Sequence, residues 1–240
     1  MKDTIRIEHG EVAMIAHRGV SGLEKENTAA AFVAAGNRSY FGIETDIHMT
    51  ADGGFILIHN DTTADSCGIE LTVEQTTYDA LRALPVRDRD GSFARRDLCL
   101  PSLSEYIGIC KRYGKRAVLE LKNPMPQSAI ATIVQRIRDM EYLEDVIFIS
   151  FCWDNLLHLR ACCPEAAAQY LVASWEDGLP VRLQEHRMDL DCYYRILDPE
   201  RMAALKAAGV RVNVWTVNDP DEARALIELG VDMITTNILE

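Results

Sequence analysis

Basic residues are scarce in this chain. Lys and Arg number 25 against 37 Asp and Glu, giving a net charge of −12. A surface of that sign repels nucleic-acid phosphates, which counts against a role built on neutralising them. Apolar runs approaching the roughly 20 residues of a membrane span are missing. The opening MKDTIRIEHG lacks the apolar stretch of a secretory leader. The seven cysteines are odd in number and contain no C-x-x-C pair, so they read as reduced thiols, mostly small core residues, in a cytoplasmic protein. Neither a linker nor a low-complexity tract divides the chain, and the G-x-G-x-x-G turn of dinucleotide-binding sheets is absent. At 240 residues the expectation is a single domain over 1–240.

Short apolar runs alternate with amphipathic ones. Strand-like runs fall at 12–17, 42–48, 55–59, 116–121, 146–151, 168–173, 190–194, 210–217 and 232–236. Helical runs fall at 27–37, 72–84, 102–114, 127–140, 153–163, 198–209 and 219–230. Asn27-Thr28, Asp198-Pro199 and Asp219-Pro220 are helix starts, and several helical runs end at glycine. Such alternation predicts βα units and a parallel sheet. Length and unit count suit a (β/α)8 TIM barrel, with a doubly wound open sheet as the alternative.

Nine strand-like runs exceed eight barrel positions by one. The runs at 42–48 and 55–59 are too close for a parallel crossover, so they predict an antiparallel hairpin about Asp52-Gly53. That register sets Asp46 opposite His59 and His48 opposite Leu57, and period-two alternation gathers Glu44, Asp46, His48 and His59 on one face. His17 and Arg18 end another apolar strand. Glu120 and Lys122 lie in a third, and Trp215 closes a fourth. Active sites of barrels lie at the C-terminal strand ends. Three carboxylates there (Glu44, Asp46, Glu120) suit Mg2+ or Ca2+. Arg18 and Lys122 suit a phosphate, and two histidines suit a general base and a general acid. Trp215 reads as a wall for the substrate. His48 reads as packing against the sheet, His9, His158 and His186 as surface or helix residues, and Cys162-Cys163 as packing.

The ordered set AHRG, ENTAAAF, IETD, IHND, LELK, VWTVN and GVDMITTN resembles the glycerophosphodiester phosphodiesterases, over residues 13 to 237. The resemblance implies a (β/α)8 barrel that hydrolyses a small glycerol phosphodiester to glycerol 3-phosphate and an alcohol, without membrane insertion. It places the catalytic histidines on His17 and His59, the metal carboxylates on Glu44, Asp46 and Glu120, and phosphate contacts on Arg18 and Lys122. Lys25 stands where the family commonly has proline, Asn60 where it has aspartate, and Asn237 where it often has aspartate. The Asn60 change weakens the partner of His59 or passes its role to Asp61. The attacking group is the substrate's 2-hydroxyl or water. Other readings are a barrel phosphodiesterase for another phospholipid-derived diester, and a silent glycerophospho-ligand binder. Residues 61–97 are expected to form a small insertion after the third strand-like run. That insertion would cover the glycerol or head-group end of the site, with Arg87, Arg89, Arg95 and Arg96 mostly solvated.

Overall fold

A computed structural model describes residues 3–240. Its sheet is a closed ring of eight parallel strands. These are β1 (Ala13–Ala16), β2 (Gly42–Met49), β4 (Arg116–Leu121), β5 (Val146–Ser150), β6 (Ala167–Val172), β7 (Asp189–Tyr193), β8 (Val212–Trp215) and β9 (Met233–Thr236). The ring closes where β1 pairs with both β9 and β2. A short β3 (Phe55–Leu57) lies outside it, antiparallel to the end of β2. Helices α1 (Ala29–Gly36), α4 (Leu103–Tyr113), α5 (Gln127–Asp139), α6 (Trp153–Cys162), α7 (Leu179–Glu185), α8 (Pro199–Ala207) and α9 (Pro220–Leu229) connect the strands. The architecture is the expected (β/α)8 barrel.

Local chemistry explains the elements. The strands are covered on both sides, so they read as nearly continuous Val, Ile and Leu runs. A large core joins their outer faces to the helices, and a smaller one, with Ile15, Val118, Ile147, Ile149, Leu171 and Met233, fills the barrel interior. Thr28 caps α1 through the Ala31 amide, and Ser102 with Glu105 forms a reciprocal cap on α4. Gly114 and Gly230 end α4 and α9 in the left-handed conformation.

Three expectations change. The helix expected over 72–84 is broken. Val73–Gln75 form a 3-10 turn and Tyr78–Arg82 form α3, with extended Thr76 and Thr77 between them. α7 lies in a stretch read as having no helix. Its Leu179 and Leu183, one turn apart, are buried, and Gly178 and Pro180 at its start obscure the helical pattern. The hairpin register is displaced by one residue, with His48 opposite Ile56 and Ile47 opposite Leu57. The cause is a three-residue loop. Thr50 donates its amide to the Gly54 carbonyl at 2.9 Å, enclosing Ala51, Asp52 and a left-handed Gly53 (φ 77°). Gly54 has no room to shift, since a Cβ there would lie 2.7 Å from the Tyr78 Cβ.

Beyond β3 the chain makes the excursion over 61–97, with α2 (Ala64–Cys67) and α3. It has its own core of Cys67, Val73, Leu81, Val86 and Leu98, shared with Leu100 and with Ile56 and Ile58 at β3. Strand alternation sends Phe55 and Leu57 to the main core and Ile56 to this one. Only Arg89 and Arg96 of the four arginines are exposed. Arg95 pairs with Glu24 at 2.6 Å and Arg87 lies over Phe93, because the segment docks on the loop after β1 instead of standing in solvent. Among the described residues, no helix is long and apolar enough to cross a membrane.

Candidate active site

The parallel register sets Asp46 of β2 beside Glu120 of β4. Strand parity turns Glu44 inward with Asp46. The three carboxylates are 3%, 1% and 7% exposed for Glu44, Asp46 and Glu120, and each offers an oxygen within 4.8 Å of the others'. Burial and the Asp46 charge push Glu44 well above the usual carboxylate range and Glu120 up to about 8. Burial acts on Asp46 too, but Arg18 and Lys122 overcome it and hold the carboxyl down to about 2. Arg18 Nε stands 3.6 Å from Asp46, and Lys122 Nζ stands 2.9 Å from Glu120 and 3.6 Å from Asp46. Asp46 Oδ1 nevertheless has no hydrogen bond. A buried oxygen-only donor set with one free oxygen fits a hard divalent cation.

The loop after β1 is built around these acids. Arg18 is left-handed (φ 55°) and donates its amide to Glu44 Oε2 at 2.7 Å. Gly19 must be glycine, since a Cβ would lie 2.6 Å from Ala31. The E-N-T triplet divides its work. Glu26 accepts from Arg18 Nη1 at 3.1 Å, Asn27 donates to Asp46 Oδ2 at 2.8 Å, and Thr28 caps α1. The site role of Asn27 was missed from sequence. Its left-handed backbone (φ 51°) and the Thr45 hydroxyl, 2.7 Å from its side-chain oxygen, fix its amide on Asp46.

His17 and His59 flank the acids. His17 Nδ1 lies 2.7 Å from Asn237 Oδ1, and His59 Nδ1 lies 2.7 Å from Asn60 Oδ1. Ser21 also donates to Asn237 Oδ1, and the Asn60 amide nitrogen donates to Asp65. Both asparagines therefore present oxygen to the rings, Nδ1 carries the proton, and each Nε2 is left with a free lone pair. Burial, with help from Arg18, takes His17 down to about 4, and burial lowers His59 as well. Asp61 accepts instead from Asn123, so the partner of His59 is Asn60. His59 does not sit opposite Asp46 in the ladder. β3 ends at Leu57, and the chain turns back to the barrel mouth, which brings His59 to the site despite the one-residue shift.

These groups share a cleft of about 480 Å3 including its mouth. His17, Arg18, Glu44, His59 and Glu120 line one end, and Ile149, Phe151, Leu171 and Trp215 line the other, with Asp191 among them. Phe151, Leu171 and Asp191 carried no motif and were missed. Trp215 stands edge-on to Phe151, with ring centres 5.6 Å apart. No lining residue comes from 61–97. The insertion meets the site through its neighbours, and the expected cover over the glycerol or head-group end is not among the residues lining the cleft. His48 is fully buried beneath it, with Nδ1 3.3 Å from Glu74, and is not in the lining.

Comparison with known proteins gives the fold and the family. A glycerophosphodiester phosphodiesterase of Caldanaerobacter subterraneus subsp. tengcongensis is 28% identical over 232 residues, covering 93% of each chain. The structure of an Oleispira antarctica phosphodiesterase, in complex with the product sn-glycerol-3-phosphate, superposes with a TM-score of 0.84 at 26% identity. The match covers 94% of this chain and 92% of that one. A Parabacteroides distasonis glycerophosphodiester phosphodiesterase structure gives 0.79 at 28% identity, over 96% and 94%. The profile of the Glycerophosphoryl diester phosphodiesterase family matches residues 17–240, and the chain belongs to that family.

Proposed function

We propose that the protein hydrolyses glycerophosphodiesters to glycerol 3-phosphate and an alcohol, with Glu44, Asp46 and Glu120 holding a divalent cation, Mg2+ or Ca2+. The carrying observation is that three clustered buried carboxylates are paired with Arg18 and Lys122, and that Glu44, Glu120, Arg18 and two imidazoles with free Nε2 atoms line one cleft. The cation, when bound, supplies neutralisation of charge on the phosphate. Arg18 and Lys122, the cations beside these carboxylates, would grip the phosphate oxygens.

His17 and His59 move the protons. One Nε2 takes a proton from the attacking hydroxyl, either water or the substrate's 2-hydroxyl, and the other gives one to the leaving alkoxide; when the 2-hydroxyl attacks, water then opens the cyclic phosphate with the two proton transfers reversed. Their Nδ1 atoms stay tied to Asn237 and Asn60, which fixes the ring orientation. Burial lowers both rings, which favours their neutral forms before substrate arrives. The phosphate anion then favours the imidazolium and allows one ring to take up the proton it later donates. Trp215 and Phe151 wall the organic part of the substrate and exclude water. The seven free thiols support a reducing compartment, the cytoplasm. The insertion supports selectivity indirectly, by holding the loop after β1 and the turn carrying His59.

The test is release of sn-glycerol 3-phosphate from glycerophosphocholine, glycerophosphoethanolamine, glycerophosphoglycerol and glycerophosphoinositol, each with Mg2+, Ca2+, Mn2+ or excess chelator. Product from at least one diester, lost on chelation and regained with cation, is the expected result. Failure on all four with every cation would remove the reading.

A further inference from the structure

Asp191 is the one carboxyl of the cleft that the proposed chemistry leaves without a task. It lies on β7, which stands opposite β2 in the ring of eight strands, across the barrel interior from Glu44 and Asp46. It is 2% exposed, it lines the cleft, and its Oδ1 has no hydrogen-bond partner. The polar groups next to it are engaged mostly with each other, and Asn213 alone also bonds to the Asp191 carboxyl, leaving Oδ1 free. Asn213, its register partner on β8, donates to Gln169 at 3.3 Å and accepts from the Thr235 hydroxyl at 3.2 Å. Leu171, its partner on β6, is apolar. A buried polar oxygen left alone costs about 1–3 kcal/mol, so one that faces a cleft marks a place for a ligand group.

We propose that Asp191 is a specificity-determining residue for the glyceryl half of the substrate, pairing with its free hydroxyls. This inference rests on the hydrolytic reading above. The chemistry of the wall supports it. Burial, and then the Glu120 charge, push the Asp191 carboxyl upward, against a hydrogen bond with Asn213 that lowers it. A carboxyl presents two adjacent oxygens, and in either protonation state its unpartnered oxygen accepts from a hydroxyl. A vicinal diol offers two adjacent hydroxyl donors to that carboxyl, while Ile149, Leu171, Phe151 and Trp215 face its carbon chain. Acylated glycerol lacks those O–H groups and would leave the carboxyl unpaired. Asp191 therefore selects deacylated diesters over intact phospholipids, by the penalty that rejects a ligand missing the hydroxyl a site is built to bind.

The test compares glyceryl 4-nitrophenyl phosphate with 2-hydroxypropyl 4-nitrophenyl phosphate. These differ by the terminal hydroxyl alone and keep the 2-hydroxyl and the leaving group. The wild type should prefer the glyceryl diester by about 10- to 100-fold in kcat/KM. Asp191→Leu should reduce that preference to within about 3-fold, mainly through KM, and Asp191→Asn, which keeps a donor and an acceptor, should retain most of it. Asp191→Ala gives the same comparison if the leucine variant does not fold. Calorimetry supplies a readout without turnover, in which Asp191→Leu weakens sn-glycerol 3-phosphate by about 10-fold more than it weakens inorganic phosphate. Equal losses on both diesters, a preference that survives in Asp191→Leu, or a wild type that does not distinguish the two would overturn the proposal. If the wild type cleaves neither diester, the hydrolytic reading fails, and the calorimetric comparison still decides the role of Asp191.

Discussion

Nδ1 of His17 sits 2.7 Å from the side-chain oxygen of Asn237, a residue 220 positions away that the β1–β9 closure of the barrel brings alongside. The neutral amide fixes the tautomer without the charge that would stabilise the imidazolium. Asn237→Asp should therefore raise the His17 pKa from about 4. The limb of the kcat/KM profile that belongs to His17 should move to higher pH by about one unit or more. Asn237→Ala should lower kcat about 10-fold, because the ring loses its orientation. An unmoved profile in Asn237→Asp would separate His17 from proton transfer.

The two histidines should be unequal to the third. His17→Ala and His59→Ala should each lower kcat by about 10²- to 10⁴-fold, with melting temperatures nearly intact. His48→Ala should cost far less activity, since His48 is buried against Glu74 outside the cleft. Its loss should show in thermal stability instead. Steady-state kinetics beside thermal melts would expose a wrong ranking at once.

A divalent cation should raise the melting temperature, and the gain should grow with pH. In the metal-free protein the folded pKa of Glu120 is raised to about 8 from 4.5. Its stabilising contribution is thus complete below 4.5 and is lost as pH rises through 8. Glu44 shifts in the same direction. At pH 5 a cation must displace the protons on these acids. Near pH 8 it meets carboxylates that repel one another, and it stabilises most. Glu120→Gln should reduce the gain. Scanning calorimetry with Mg2+ or Ca2+ across pH 5–8 measures it, and a gain that shrinks with pH would contradict the assignment.

The second core should control the segment over 61–97. Leu81→Ala should cost about 2–5 kcal/mol and admit protease into the segment before global unfolding. Ile56 and Ile58 share that core and lead into His59, so kcat should also fall, about 10-fold, through misplacement of the imidazole. Arg95→Ala, which removes a partly exposed pair with Glu24, should cost under about 1 kcal/mol. Denaturant unfolding and limited proteolysis compare the two variants.

Local rules were enough for much of this protein. Strand period two placed Glu44 and Asp46 on one face, and helix-start chemistry identified Thr28, Asp198 and Asp219. Alternating apolar runs implied a parallel barrel, and the barrel put the chemistry at the C-terminal strand ends. These features depend on residues a few positions apart, so sequence spacing reports them directly. The hairpin register escaped because one residue of loop length decides it, and the loop was set by Gly53 and by the packing of Gly54 on Tyr78. His59 still reached the cleft, through a turn beyond the ladder that no period describes. Asn27 on Asp46, Asn237 on His17, and Asp191 across from the acid cluster are contacts between strands and loops remote in sequence. Closure of the ring creates them, and the burial that closure imposes raises Glu120 and lowers His17. An isolated strand leaves such groups in water, where their charges are screened and their pKa values are ordinary.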